Sequence, residues 1–112
     1  MTYVGALRGL ALSLPEATEE DHHGMLSFRV TGKIFATVPD DEHVRIMLAE
    51  PEILAAVAEN PEVCAPFYWG KRLSCVVVST RAAPRKLIVE LLTDAWLRKA
   101  PKRLVDRAQP EV

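Results

Sequence analysis

A chain of 112 residues, 49% apolar and 26% charged, has the composition of one folded domain and leaves no room for a second core. Its formal net charge of −1 excludes the long-range pull on polyanions that a strongly basic protein exerts. No apolar run approaches the roughly 20 residues of a membrane-spanning helix, and the N-terminus lacks the basic flank, apolar stretch and cleavage site of a secretory signal, so a cytoplasmic location with no membrane attachment is expected.

Residues 3 to 14 carry Val4, Leu7, Leu10, Ala11 and Leu14 at helical spacing, a stripe suited to lie against a sheet, and Pro15 stops the helix. Glu16 to Gly24 reads as a solvated acidic loop. It contains Glu16, Glu19, Glu20, Asp21, His22 and His23, but adjacent histidines without i, i+4 pairing make a poor metal site, and no metal or other cofactor is expected. Met25 to Pro39 follows as two β-rich runs folded back at Thr31-Gly32-Lys33. Phe28 and Val30 share one strand face, Ile34, Ala36 and Val38 share a face of the next, Gly32 supplies positive φ, and Pro39 ends the second strand.

Val44, Ile46 and Leu48 alternate with Arg45 and Met47 as a third strand. Pro51 opens a helix whose buried side is read as Ile53, Leu54, Val57 and Ala58, ended by Asn60-Pro61. A hairpin turning at Trp69-Gly70 then joins CAPFYW to a strand through Val76, Val77 and Val78. That register sets Cys64 opposite Cys75, close enough for a bridge under oxidation, although both are expected free and buried in a reducing compartment. Pro84 opens the longest helix, with Leu87, Ile88, Leu91, Leu92, Ala95 and Trp96 on one apolar face; it ends near Ala100-Pro101, and residues 102 to 108 form a short helix anchored by Leu104 and Val105.

The expected fold class is therefore α+β, a single domain over residues 1–112. It is a two-layer sandwich of an antiparallel sheet with helices on one face, in the order α-β-β-β-α-β-β-α-α. The expected core comprises Leu7, Leu10, Phe28, Val30, Phe35, Ile46, Leu54, Val76, Leu87, Ile88, Leu91 and Trp96.

Three blocks, Leu14-Pro15-Glu16, Ser27-Phe28-Arg29-Val30-x-Gly32-Lys33-x-Phe35-Ala36 and Ala100-Pro101-Lys102, resemble the MmcQ/YjbR family of small bacterial proteins. The resemblance covers nearly the whole chain, and its central block is the specific part. It implies an intracellular domain with helix, three strands, helix, two strands and helix in two layers, similar in outline to secretion-chaperone folds. It also implies a DNA-binding role and carries over no catalytic residue. This chain departs from many relatives in having Leu73-Ser74-Cys75 where they place a Trp at the start of the last strand, with Trp69 before the turn instead.

No phosphate-cradling glycine loop or nucleophile motif occurs, so a non-enzymatic role is expected. Charge is split along the chain: residues 1–65 hold four basic and eleven acidic side chains, residues 66–112 ten basic and four acidic. The basic part suggests a nucleic-acid interface with phosphate contacts from Lys71, Arg72, Arg85, Lys86, Arg98, Lys99, Lys102 and Arg103. Tyr68 or Trp69 would stack on a base. Arg107 lies in the same run. The alternative is a protein-interaction or adaptor module that uses the split charge and the Phe67-Tyr68-Trp69 cluster as anchors and binds no nucleic acid. The chain is expected to be a monomer.

Overall fold

Four helices and six strands alternate along the described residues: α1 (Val4–Leu12), β1 (Ala17–His22), β2 (Met25–Val30), β3 (Lys33–Asp40), β4 (His43–Ile46), α2 (Glu50–Glu59), β5 (Cys64–Trp69), β6 (Arg72–Ser79), α3 (Arg85–Lys99) and α4 (Lys102–Ala108). The structure, a computed structural model, describes residues 4–108, and the side chains of Val4, Arg107 and Ala108 fall outside that description. The expected start of the first helix at residue 3 also lies outside it.

All strand pairs are antiparallel, and the sheet order is β1-β2-β3-β4-β6-β5. Helix α2 carries the chain across the sheet to its far edge, and β6 returns between β5 and β4. One face of the sheet is covered: α1 packs on β1, α2 on β5 and β6, and α3 on β3 and β4. Phe28, Val30, Ile46, Val76 and Val78 from the sheet join Leu7, Ile53, Ile88, Leu92, Trp96 and Leu104 from the helices in one apolar core.

The two-layer α+β architecture is as expected, with one strand more. Ala17–His22 is a strand and not the predicted loop. Its sequence, ATEEDH, shows no apolar alternation because it is an edge strand held by backbone pairing to β2 from Ala17↔Val30 to His22↔Met25. Charged side chains suit such an edge, where they discourage further strand addition. The overlooked signal is His23-Gly24, at φ 54° and 82°, the same positive-φ pair as Thr31-Gly32 at 48° and 81°. Both make two-residue hairpin turns, and histidine tolerates the left-handed region better than most residues.

Other boundaries move for local reasons. Helix α1 closes at Leu12, where the Ser13 hydroxyl donates to the Leu10 carbonyl at 2.7 Å. Strand β3 continues past the expected stop at Pro39 to Asp40, and its pairing with β4 slips between Thr37 and Asp40. A residue without an N–H is tolerated at that irregularity. The β5–β6 turn is at Gly70-Lys71, with Trp69 paired to Arg72 and a register shift between Phe67 and Tyr68. Cys64 therefore opposes Val78, and Cys75 opposes Phe67, so the two free thiols are not the facing pair expected.

Of the predicted core, Leu7, Phe28, Val30, Phe35, Ile46, Val76, Ile88, Leu91 and Trp96 are buried, while Leu10 and Leu87 are half-buried against it. Leu54 is a correction. It is 51% exposed, because α2 turns Ile53 and Ala56 inward and leaves Leu54 and Ala58 in solvent. The start of α2 sets that rotation: the Ala49 N–H donates to Glu52 Oε1 at 3.1 Å, so the first turn is satisfied by a side chain three residues on.

Trp96 ties the helical layer together. It is 1% exposed, and its indole N–H donates to the Pro15 carbonyl at 2.9 Å, joining α3 to the segment after α1. Replacing Trp96 with Ala should cost about 3 to 5 kcal/mol and lower the Tm by more than roughly 10 °C, whereas Trp96→Phe, which keeps most of the packing and loses the hydrogen bond, should cost about 1 kcal/mol beyond lost volume.

The face of α2 is checked in the same thermal melts. Ile53→Ala should lose about 2 to 5 kcal/mol, and Leu54→Ser should stay within about 0.5 kcal/mol of the parent. Equal losses would reverse the rotation assigned to α2.

Candidate functional site

Two hairpin turns and one helix end meet at one corner of the sheet. The Thr31-Gly32 turn delivers Lys33, the Gly70-Lys71 turn delivers Lys71 and Arg72, and the last turn of α3 delivers Arg98 and Lys99. Gly70, at φ 66°, gives the second turn the left-handed backbone it needs. Cations also suit the negative end of α3.

Arg72, Arg98 and Lys99 line a recess of about 320 Å³ with Leu73, Ser74 and Glu50. The Arg98 guanidinium donates to the Met47 carbonyl at 3.5 Å, a long contact that holds it over the end of β4. Burial, then repulsion from Arg98, Lys33 and Arg72, pushes the Lys99 ammonium below its ordinary pKa. Among the described residues, none of Lys33, Arg72, Arg98 and Lys99 has a carboxylate within ion-pair distance.

The other expected phosphate contacts divide. Arg103 is engaged by Glu16 at 3.2 and 3.4 Å, and that hydrogen-bonded pairing raises its pKa. Arg85 and Lys86 stand at the opposite end of α3, about 20 Å away along a helix of 15 residues, and do not join the corner. Lys102 is exposed at the start of α4, three residues past Lys99. Trp69 is 75% exposed on the β5–β6 hairpin. Tyr68, 53% exposed, alternates to the other face of β5. Lys33 was missed because it sits in the acidic part of the chain, and only sheet pairing brings it to the corner.

Many of the acids are already answered. Glu19 pairs with Arg8, Glu20 with Arg29 at 3.9 Å, Glu42 with Arg81 at 3.3 Å, and Asp40 with His43 at 2.9 Å. The Glu42 N–H, donating at 2.8 Å, and the His43 ring hold the Asp40 carboxyl below its usual value. A separate groove between α2 and α3 gathers Glu52, Glu59, Glu90 and Asp94. Burial, followed by repulsion from Glu52 and Glu90, raises Asp94. His22 and His23 have ring centroids 4.7 Å apart, and no three His, Cys, Asp or Glu side chains converge on a metal-sized site among the described residues.

The uncovered face of the sheet is concave. Its cleft, about 280 Å³, takes at least one lining residue from every strand: His22, Met25, Thr37, Arg45, Phe67 and Cys75 in the order β1, β2, β3, β4, β5, β6, with Trp69 at the β5 end. Arg45 lies over the Phe67 ring, 4.4 Å from its centroid. Cys75 is 1% exposed, and burial pushes its thiol up to about 11, the nearby Arg45 only partly opposing.

The model of the YjbR family matches residues 12–98, which take in the whole sheet, α2 and most of α3. The crystal structure of DR2400 from Deinococcus radiodurans, described as a DUF419 domain, superposes with a TM-score of 0.74 at 20% identity, covering 99% of this chain and 84% of that one. At that identity the likeness shows the fold. No curated protein matches the chain.

Cys75 offers a direct check on the cleft floor. A thiol held at about 11 leaves on the order of 0.1% thiolate at pH 8, so alkylation of Cys75 in the folded protein should be at least ~100-fold slower than in denaturant, and should accelerate as pH rises toward 11. Labelling followed by peptide mass mapping reads this out, and rapid modification at pH 8 would contradict the burial described.

Proposed function

The chain belongs to the YjbR family, and from the corner of unpaired cations that it carries we propose that it is a non-enzymatic nucleic-acid-binding domain. The contact surface is Lys33, Lys71, Arg72, Arg98, Lys99 and Lys102, with Trp69 stacking on a base. The observation that carries this reading is the gathering of Lys33, Arg72 and Arg98 around Lys99, whose pKa burial and then these neighbours lower, with no carboxylate paired to any of the four among the described residues. Such a cluster repels itself, and a phosphate chain relieves the repulsion. The acidic groove between α2 and α3 repels the same chain, which directs it to the hairpin side of the corner. Recognition is largely independent of sequence, because phosphate contacts hold register without reading bases. The reading sets the protein in the cytoplasm, where its two free cysteines stay reduced.

Filter binding of short single- and double-stranded DNA at about 50 and 200 mM salt tests it. Four phosphate contacts should lower affinity on the order of 100-fold across that range. Lys33→Glu with Arg72→Glu should weaken binding to all sequences alike at unchanged melting temperature, and Arg85→Glu with Lys86→Glu should have little effect. Undetectable binding at low salt, or full binding by the first double variant, would reject this function and favour a protein-interaction module.

A further inference from the structure

The uncovered sheet face carries a second site that shares only Trp69 with the proposed nucleic-acid surface. Three independent features point to its ligand. The first is charge: Arg45 projects from the centre of the sheet, half-buried, with no carboxylate in ion-pair distance among the described residues. A cation withdrawn from water without a counter-ion is costly, and an incoming anion supplies one. Its guanidinium lies 4.4 Å from the Phe67 ring centroid, and its N–H donors suit a carboxylate, which arginine can hold with two parallel bonds.

The second feature is Thr37, directly paired with Arg45 across β3 and β4. It is 4% exposed and lines the cleft, and its hydroxyl is not sealed from it: the buried hydroxyl without a partner among the described residues is that of Thr80. By contrast, the neighbouring Ser27 hydroxyl donates to the Glu20 carbonyl at 2.7 Å. The Thr37 hydroxyl therefore stands at the cleft surface beside Arg45, where it can donate to a bound acceptor. The third feature is shape. Phe67 and Trp69 wall a space of about 280 Å³, just under the usual range of small-molecule pockets, which admits one or two fused rings.

We infer that this cleft binds a small planar aromatic carboxylate, its charged end held by Arg45 and the Thr37 hydroxyl and its ring against Phe67 and Trp69. The ring stays near the mouth, where Trp69 is largely open to solvent, and the carboxylate reaches inward to the centre of the sheet. No covalent step is involved. Cys75 on the floor contributes a neutral, apolar surface. The site shares Trp69 with the proposed nucleic-acid surface but none of its phosphate contacts, so Lys33→Glu with Arg72→Glu should leave carboxylate binding unchanged.

Calorimetric titration with benzoate and indole-3-carboxylate, repeated with their neutral amides, provides the test, alongside ¹H–¹⁵N spectra of the full chain. One molecule should bind per chain, the amides at least ~10-fold more weakly, since each charge-assisted bond to arginine is worth about that factor. The Trp69 indole and Thr37 amide signals should move, and the buried Trp96 indole should not. Arg45→Gln should lose ~10-fold or more, and Thr37→Val, which preserves volume, should lose several-fold at near-parental melting temperature. If Arg45→Gln fails to fold, the amide comparison and Thr37→Val decide. No saturable binding up to ~10 mM probe, equal affinity for acid and amide, or undiminished affinity in Thr37→Val would overturn the inference. Tighter binding of a nucleoside monophosphate than of either carboxylate would likewise overturn it.

Discussion

An antiparallel sheet covered on one face must still account for the other, and this constraint shapes the molecule. Helices α1, α2 and α3 cover the inner face with aliphatic side chains and Trp96. No element covers the outer face among the described residues, yet Ser27, Thr37 and Cys75 on it are buried. The sheet encloses them by its own curl, which follows from the right-handed twist accumulated over six strands. Register shifts in β2–β3, β3–β4 and β5–β6 sharpen that curl. A concave polar cleft is the consequence. Its buried groups are small or able to hydrogen-bond, as a solvent-side surface folded inward requires.

The same topology divides the charge. Two pairs, Glu16 with Arg103 and Glu42 with Arg81, join the acidic first part of the chain to the basic second part, so a fraction of the split visible in sequence is neutralised internally. What remains is more local. Hairpin turns project Lys33, Lys71 and Arg72 beyond the sheet, and the end of α3 adds Arg98 and Lys99. Exposed ion pairs of the first kind contribute little to stability, so their main effect is to neutralise acids that would otherwise repel an approaching anion. The separate groove containing Asp94 keeps the opposite sign on the helical layer.

Within the sequence, apolar period and turn chemistry determined most of the architecture. Phe28 and Val30 before Thr31-Gly32, the valine run at 76–78 and the stripe from Leu87 to Trp96 each state their element and its buried face, because a strand or helix must bury one side. Resemblance to a known family implied the same two layers. Where a segment is stabilised by backbone pairing and not by apolar side chains, that legibility ends. Strand β1 reads as a loop for this reason, and the buried side of α2 reads too wide, taking in Leu54 with Ile53, because the two are equally apolar and only tertiary packing selects Ile53.

The site was less legible, and the difference is physical. Arg72, Arg98 and Lys99 were named from sequence, but Lys33 and Arg45 lie in a stretch whose net charge is acidic, and strand pairing alone brings them to their places. Arg85 and Lys86 failed to join the corner because a straight helix separates its ends by its length, and Arg103 because a partner 87 residues away engages it. Composition and period are local properties that a chain states directly. Which cations remain without a partner, and which side chains line one cleft, depends on distances between residues remote in sequence, and those exist only once the sheet has formed.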